Sequence, residues 1–264
     1  MITAEKKNFI PTYVLGVGVI KLNSNGEINI IFQKGIGIQL IQKIIKSNKN
    51  EIIKKKNGIK IDLVCNYTVY IHYFDNQTDD IVVILYLDKK EKILKFSDLY
   101  LISEKLNNFI CSNISLLALR NICNKNIRIP KSNGVIALFI LNSSGHLFYS
   151  KFNKEKTKLK NFEIQISGFI SALTIFSKEL ISQEPGVNLK KINFGKQNFY
   201  LVTEQNVIFA YLIEVEKKVD INKRYLSLVP EEFLSKYRDN IINFKGDVSV
   251  FNNFDQEIEQ YFII

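Results

Sequence analysis

The sequence has few residues of the types that metal sites, disulfide frameworks and DNA-reading surfaces require. Its 264 residues include only two histidines, three cysteines and four arginines. Cys65, Cys111 and Cys123 are odd in number and lack metal-like spacing, which favours a reducing compartment over a disulfide scaffold. Arginine is the usual reader of base edges, so its scarcity argues against sequence-specific DNA binding. We therefore expect no nucleic-acid partner.

Long apolar runs and linker-forming residues are scarce as well. The longest uncharged run, 132–150, contains the polar stretch Asn142 to His146, which indicates a turn between strands and not a membrane span. The first ten residues lack the apolar core of a secretory signal. Four prolines and twelve glycines leave little material for long linkers. We expect a cytoplasmic protein whose membrane contact, if it has one, is peripheral.

Side chains for catalysis, cofactor binding or metal binding form no motif. His72 lies in a strand pattern and His146 follows a turn, so both are expected to be structural. The pairs Gly16/Gly18 and Gly35/Gly37 do not complete G-x-G-x-x-G, and no G-K-[ST] follows them, so they indicate close packing or a turn. We expect no catalytic residue, no cofactor and no metal.

A short segment occurs twice. "LNSNG" occupies 22–26 and "LNSSG" occupies 141–145, 119 residues later. Each lies between two apolar runs, which is the pattern of a β-hairpin. Gly26 and Gly145 are the expected residues with positive φ.

The order of elements around the two hairpins also repeats. After the second hairpin, a helical period of apolar residues predicts one buried helix face, made of Ile166, Phe169, Ile170, Leu173, Phe176 and Leu180. After the first, the same role falls to Ile38, Ile41, Ile44, Ile45 and Ile52. Strands are expected at 58–65, 68–74 and 81–87, and again at 187–194, 198–203 and 207–215.

A second helix is expected to close each copy. The first such helix covers 97–111, and the second covers 221–241 with a kink or break at Pro230. A further helical stretch at 114–122 precedes the join, which lies near 128–134. The sequence therefore predicts an α/β (α+β) protein with two modules, 1–130 and 131–264. Each has the order β-β-α-β-β-β-α and one five-stranded antiparallel sheet with helices on both faces.

This repeated order resembles the longin and roadblock family of modules. The second copy carries the resemblance best, in "GVIALFILNSSGHLFYSKF", "ISGFISALTIFSKELI" and "LKKINFGKQNFYLVTEQNVIFAYLIEV". Its tail, "FLSKYRDNIINFKGDVSVFNNFDQEI", is similar to that of archaeal relatives of the eukaryotic trafficking modules. The first copy resembles the family by element order and by "VVILYLDKKEKILKFSDLYLISEKL". The resemblance implies protein binding, with a small Ras-like GTPase or another longin or roadblock subunit as partner.

Positive charge is concentrated in one window. Residues 34–60 contain eight lysines and one acidic residue, Glu51. The candidate contact residues for a partner or a membrane are Lys43, Lys46, Lys49, Lys54, Lys55 and Lys56. Because isoleucines of the same segment supply its buried side, we expect these lysines to face solvent. A solvated helix face explains them equally well.

Three functions remain open. The first is a tandem longin or roadblock-like platform that binds or regulates a small Ras-like GTPase, as in exchange-factor or vesicle-trafficking subunits. The second is a membrane-peripheral adaptor that uses the lysine-rich helix on anionic lipid. The third is a small-ligand sensor. Guanine-nucleotide exchange is the one enzymatic activity considered, because it needs no covalent chemistry.

Overall fold

The chain divides into two compact units, Met1–Pro130 and Lys131–Ile264. The structure, a computed structural model, describes residues 12–76, 80–89, 96–112, 115–153, 159–181, 189–215 and 219–264. Each unit contains a five-stranded sheet whose strands pair antiparallel throughout. The predicted mixed α/β class with two five-stranded antiparallel sheets is thus confirmed.

The described part of the first unit contains seven strands and three helices. The strands are β1 (Thr12–Tyr13), β2 (Gly16–Asn23), β3 (Ile28–Lys34), β4 (Gly58–Val64), β5 (Tyr67–Asp75), β6 (Asp80–Lys89) and β7 (Ile127–Arg128). The helices are α1 (Ile38–Lys55), α2 (Phe96–Cys111) and α3 (Leu116–Asn126). The sheet has the spatial order β3-β2-β6-β5-β4, and β1 pairs in parallel with β7.

The second unit repeats the five-stranded sheet of the first unit strand for strand. Its strands are β8 (Val135–Asn142), β9 (Leu147–Phe152), β10 (Lys191–Phe194), β11 (Gln197–Glu204) and β12 (Val207–Glu214). Its helices are α4 (Glu163–Phe176), α5 (Val219–Ile242) and α6 (Asp255–Tyr261), with a π-helical turn at Ser177–Ile181 and a 3-10 segment at Ser249–Phe254. The sheet order, β10-β11-β12-β8-β9, is equivalent to that of the first unit. Residues 187–188 of the predicted strand 187–194 lie outside the described residues, and β10 begins at Lys191.

The two hairpin turns have the same hydrogen bonds. Gly26 and Gly145 have φ of +80° and +88°, as predicted, and their amides donate to Asn23 O and Asn142 O at 2.8 and 3.0 Å. The side-chain oxygens of the same asparagines accept from the amides of Glu27 and His146 at 2.7 and 2.9 Å. The repeated "LNSxG" segment therefore encodes one turn geometry, in which asparagine holds the turn and glycine supplies the positive φ.

Both faces of each sheet are covered. In the first unit, α1 packs on one face through buried isoleucines, and α2 and α3 pack on the other through Leu99, Ile102, Leu106, Leu119 and Cys123. In the second unit, α4 covers one face through Ile170. The opposite face carries an aromatic cluster, with Phe209, Phe233, Phe251 and Phe254 in ring contact at centroid distances of 5.0 to 5.8 Å.

A kink is present in the region 221–241, as expected, but it lies at Tyr237 and not at Pro230. Helix α5 consists of two helices joined across this kink, where Tyr237 has φ −116° and ψ 18°. A proline leaves the carbonyl four residues earlier without its helical donor. Here that carbonyl, Leu226 O, lies 3.4 Å from the hydroxyl of Tyr211, which donates to it. The sheet therefore supplies a donor for this carbonyl, and the helix stays regular at Pro230. The side chain of Ile221, part of the predicted face, lies outside the described residues.

Gly16 is a site where close backbone packing demands glycine. A Cβ there would lie 2.6 Å from the backbone carbon and oxygen of Gly35. We predict that Gly16→Ala lowers the free energy of unfolding by about 1–3 kcal/mol, because the backbone must move.

The matched control is Gly168→Ala on the exposed side of α4, where nothing lies within 4 Å. Alanine there should stabilise by about 0.5–1 kcal/mol. Chemical denaturation measures both, and equal effects of the two variants would contradict the prediction.

Candidate functional site

Helix α1 separates apolar and basic residues onto opposite sides. Ile41, Ile44, Ile45 and Ile52 are buried against the sheet. Helix geometry places Lys43, Lys46 and Lys54 on the side opposite to these isoleucines. The separation of sides arises because the isoleucines recur at helical spacing and the lysines fill positions between them.

Five of the six candidate lysines are exposed: Lys43, Lys46, Lys54, Lys55 and Lys56. The exception is Lys49, which is half-buried and differs from the expectation that all six face solvent. Its Nζ lies 3.3 Å from Asn25 O, and its side chain lies over Gly26 in the β2–β3 turn. Because Gly26 has no side chain, the side chain of Lys49 can pack directly against the turn.

Glu51 forms ion pairs with two lysines of the 34–60 window, so their charge is neutralised within the unit. Its carboxylate accepts from Lys55 and Lys60, both at 2.7 Å. These hydrogen bonds lower the pKa of Glu51 to about 2, and the bond with Glu51 raises the pKa of Lys55. Lys56 Nζ lies 3.9 Å from Asp75. Lys55 and Lys56 are therefore balanced by acids of the same unit.

The remaining lysines form a smaller basic face than the sequence predicted. Lys43 makes one weak contact, 3.6 Å from Cys65 Sγ. Lys46 and Lys54 make no hydrogen bond or ion pair with any residue in the described part of the chain. We name Lys43, Lys46 and Lys54 the α1 basic face. Its positive charge is available to an acidic or anionic partner.

The predicted buried face of α4 is confirmed at Ile170 and partly at Ile166 and Leu173, which are half-buried, but it is wrong for Phe169 and Phe176. Ser167, Ile170 and Ser171 are buried, whereas Phe169 and Phe176 are 45% and 52% exposed. Ser171 Oγ donates to Ser143 O at 2.8 Å. A Cβ added at Gly145 would lie only 3.3 Å from the Cβ of Ser171. Small side chains allow α4 to approach the β8–β9 turn closely, and that contact determines its orientation. The side chain of Leu180 lies outside the described residues.

This orientation leaves a large apolar surface on the outer side of α4. Phe162, just before the helix, is 54% exposed, and Ile164 is 80% exposed. Exposed Gly168 and Ala172 lie between the larger side chains. Phe194 of β10 is 52% exposed and extends the surface, with its ring centroid 6.3 Å from that of Phe169. We name this surface the α4 apolar face; its large side chains are Phe162, Ile164, Phe169, Ile175, Phe176 and Phe194. The signal in the sequence was an α4 segment with apolar residues on all sides, which a single predicted stripe does not describe.

A buried polar chain joins β5, β6 and α2. His72 Nδ1 lies 2.7 Å from Ser103 Oγ, which lies 2.9 Å from the hydroxyl of Tyr86. All three residues are fully buried, and His72 Nε2 has no hydrogen-bond partner. Burial lowers the pKa of His72 to about 4.

One arrangement of protons gives every donor among His72, Ser103 and Tyr86 an acceptor. In this arrangement Nδ1–H of His72 donates to the hydroxyl of Ser103, and that hydroxyl donates to the hydroxyl of Tyr86. The hydroxyl of Tyr86 in turn donates to Leu99 O at 3.5 Å. Nε2 is then an unprotonated acceptor, which costs less than a buried N–H without a partner. The histidine is therefore neutral and structural, and the other histidine, His146, is exposed in the β8–β9 turn.

The cleft beside β9 is polar and already paired internally. It has a volume of about 540 Å³ and includes Lys151, Asp255 and Glu259. Lys151 Nζ lies 3.0 Å from Asp255 and 3.1 Å from Glu259. Tyr149 donates to Asp255 at 2.6 Å, and burial together with this acid raises the pKa of its hydroxyl. These contacts engage three of the five charged side chains of the cleft; the other two are Lys160 and Glu163.

The described residues form no group of three or more histidine, cysteine or acidic side chains that could hold a metal ion. None of the described helices has the length and apolar content needed to cross a membrane.

A scan against models of known protein families and a search of curated proteins both found no match for this chain.

The buried His72 makes stability dependent on pH. Its pKa is about 4 in the folded chain and 6.5 in an ordinary environment, so between these values the unfolded chain binds a proton that the folded chain does not. Protonation of this histidine in the unfolded chain should therefore lower the free energy of unfolding by about 3 kcal/mol as pH drops through that window. We predict that His72→Gln flattens the dependence of stability on pH between 4 and 6.5.

The control for this prediction is His146→Gln, which removes the exposed histidine. Urea denaturation at several pH values should give the wild-type slope for His146→Gln and a shallower slope for His72→Gln. Equal slopes for the two variants would show that His72 is protonated in the folded chain.

Proposed function

We propose that the chain is a non-catalytic protein-interaction platform that binds or regulates a small Ras-like GTPase, in the manner of tandem longin or roadblock-like subunits. The α4 apolar face is the observation that carries this proposal. A helix that keeps four large apolar side chains between 41% and 80% exposed needs a partner to remove them from water.

The choice of a GTPase as partner rests on the resemblance of the two units to longin and roadblock modules. Both units contain the order β-β-α-β-β-β-α, and the five strands are arranged identically in each. Fold alone does not determine function, so this step is an analogy. It is supported by the kind of surface that is free, because helix faces without cofactor or catalytic groups suit protein binding.

The α1 basic face adds an electrostatic contribution. Exposed lysines without acidic neighbours attract an acidic surface and increase the rate of association more than the final affinity. The effect is screened at distances beyond about 8 Å at physiological salt. We therefore expect the α4 apolar face to dominate affinity and the α1 basic face to dominate the salt dependence.

A membrane-peripheral adaptor is the second candidate, and the α1 basic face is the observation that favours it. Each lysine near an anionic surface contributes about 1 kcal/mol, so three give weak and reversible attachment. The small-ligand sensor is not proposed, because Lys151, Asp255 and Glu259 of the β9 cleft already pair with each other.

The α4 apolar face can be tested with a triple variant, Ile164→Gln, Phe169→Gln and Phe176→Gln. We predict at least about a tenfold loss of affinity for the cognate GTPase, because the variant removes the apolar contact area. The measurement is calorimetric titration against a panel of small Ras-like GTPases from the same cell, with release of a fluorescent GDP analogue as the readout of exchange. If no GTPase binds the wild-type chain or changes its exchange rate, the proposal is wrong.

The matched control changes exposed apolar residues elsewhere. Leu117→Gln on α3 and Ile242→Gln at the end of α5 alter side chains that are 67% and 70% exposed. These variants should bind as the wild type does. A GTPase that binds all variants equally uses another surface.

The α1 basic face can be tested by charge reversal. We predict that Lys43→Glu, Lys46→Glu and Lys54→Glu together slow association several-fold at low salt, with little effect at high salt. The control reverses three exposed lysines of the second unit outside the α4 apolar face, Lys131, Lys223 and Lys245, which gives the same change in net charge. Stopped-flow binding measures both, and equal slowing would show that only net charge matters.

The same two triple variants separate the protein partner from the membrane. Sedimentation with vesicles containing phosphatidylserine at low salt should show equally weak binding for both if the basic face serves a protein partner. Strong vesicle binding by the wild type that the α1 reversal abolishes would favour the membrane-peripheral adaptor instead.

A further inference from the structure

The chain contains three Asn-Gly pairs, at 25–26, 57–58 and 133–134. An asparagine before glycine is prone to attack by the next backbone nitrogen, because glycine has no side chain to hinder that nitrogen or restrict its backbone. The side chains of Asn25, Asn57 and Asn133 are all exposed. Sequence and exposure therefore do not distinguish the three pairs, whereas the hydrogen bonds around them do.

At two of the pairs, a hydrogen bond holds one of the reacting groups away from the other. The amide of Gly26 donates to Asn23 O at 2.8 Å inside the β2–β3 turn, so its nitrogen is engaged with a different residue. At the second pair, the side chain is the group that is held, because Asn57 Oδ1 accepts from the amide of Asp75 at 2.8 Å. Either reaction would first have to break one of these bonds.

At the third pair, the two reacting groups are in contact. The amide of Gly134 donates to Oδ1 of the preceding Asn133 at 2.8 Å. Because Oδ1 is bonded to Cγ, this contact holds the glycine nitrogen beside the carbon atom that it would attack. Gly134 has φ +96°, a conformation that glycine adopts without strain. The exposed side chain of Asn133 is also within reach of water and hydroxide.

We propose that Asn133 is a site of self-modification, at which the chain converts this asparagine into aspartate and isoaspartate. The nitrogen of Gly134 loses its proton to hydroxide and bonds to Cγ of Asn133, and the Cγ–Nδ2 bond breaks with release of ammonia. Water then opens the cyclic imide. Cleavage of the new bond to Cγ gives aspartate, and cleavage of the original peptide bond gives isoaspartate. The reaction needs water and no oxidant.

The modified segment pairs with residues 261–263. The amide of Ser132 donates to Tyr261 O at 2.7 Å, and the amide of Ile263 donates to Ser132 O at 2.9 Å. On the other side of Asn133, Gly134 O accepts from the amide of Glu214 at 2.9 Å. Isoaspartate adds a carbon atom to the main chain between these contacts, whereas aspartate adds only a negative charge. We therefore expect isoaspartate, and not aspartate, to weaken the pairing of Ser132 with residues 261–263.

Peptide mass spectrometry of the full chain measures the reaction at all three pairs in one sample. The folded chain is incubated at mildly alkaline pH in water enriched in heavy oxygen, because each conversion introduces one oxygen of the solvent. Asn133 should react at least about tenfold faster than Asn25 and Asn57. In urea, which removes the hydrogen bonds that distinguish the pairs, the three rates should converge. Equal rates in the folded chain, or no reaction at Asn133, would overturn the proposal.

Two variants serve as controls. Asn133→Gln moves the side-chain amide one carbon further from the nitrogen of Gly134, so it should abolish the reaction at 133 and leave those at Asn25 and Asn57 unchanged. Asn133→Asp carries the charge of the product without the longer main chain. Amide hydrogen exchange at Ser132 and Ile263 should match the wild type in Asn133→Asp and be faster in the isoaspartate form, which chromatography separates. Unchanged exchange in the isoaspartate form would show that the expected effect on this pairing is wrong.

Discussion

Burial of both faces of the central strands is the constraint on which the rest of the structure depends. In β6, every residue from Ile81 to Asp88 is buried, and β8 and β12 each bury their first seven residues. Strands that are apolar on both faces cannot leave one face to solvent, because the loss of apolar burial would exceed the stability of a small module. Each five-stranded sheet therefore requires helices on both sides, and the position of every helix follows from this requirement.

The two helices that follow the hairpins meet this requirement in different ways. In α1 the apolar residues form one stripe, so the opposite side is free to carry lysines. In α4 the small residues Ser167 and Ser171 face the sheet, and larger apolar residues remain outside. Two copies of one arrangement thus present a basic face and an apolar face. A chain with two different surfaces on equivalent helices is suited to hold different partners, which is consistent with the role of a platform.

Buried polar groups join elements of the modules at positions where apolar packing alone would be insufficient. The chain of His72, Ser103 and Tyr86 links two strands to α2, and Tyr211 donates to the carbonyl that Pro230 leaves free. Each contact satisfies a group that would otherwise destabilise the core. Neither can be inferred from hydrophobic periodicity, because the partners are 31 and 15 residues apart in the chain.

The sequence by itself determined the order of elements, the two hairpin turns and the buried side of α1. These depend on local signals: the period of apolar residues, the "LNSxG" turn and the alternation of isoleucine with lysine. The tertiary structure decided which apolar residues of α4 are buried, the position of the kink in α5 and the reduction of six candidate lysines to three free ones. An all-round apolar helix can bury any side, so only its contact with the β8–β9 turn selects one. Likewise, whether Lys56 is free depends on Asp75, which comes near it only when the chain folds, whereas Lys55 pairs with Glu51 four residues earlier on the same helix.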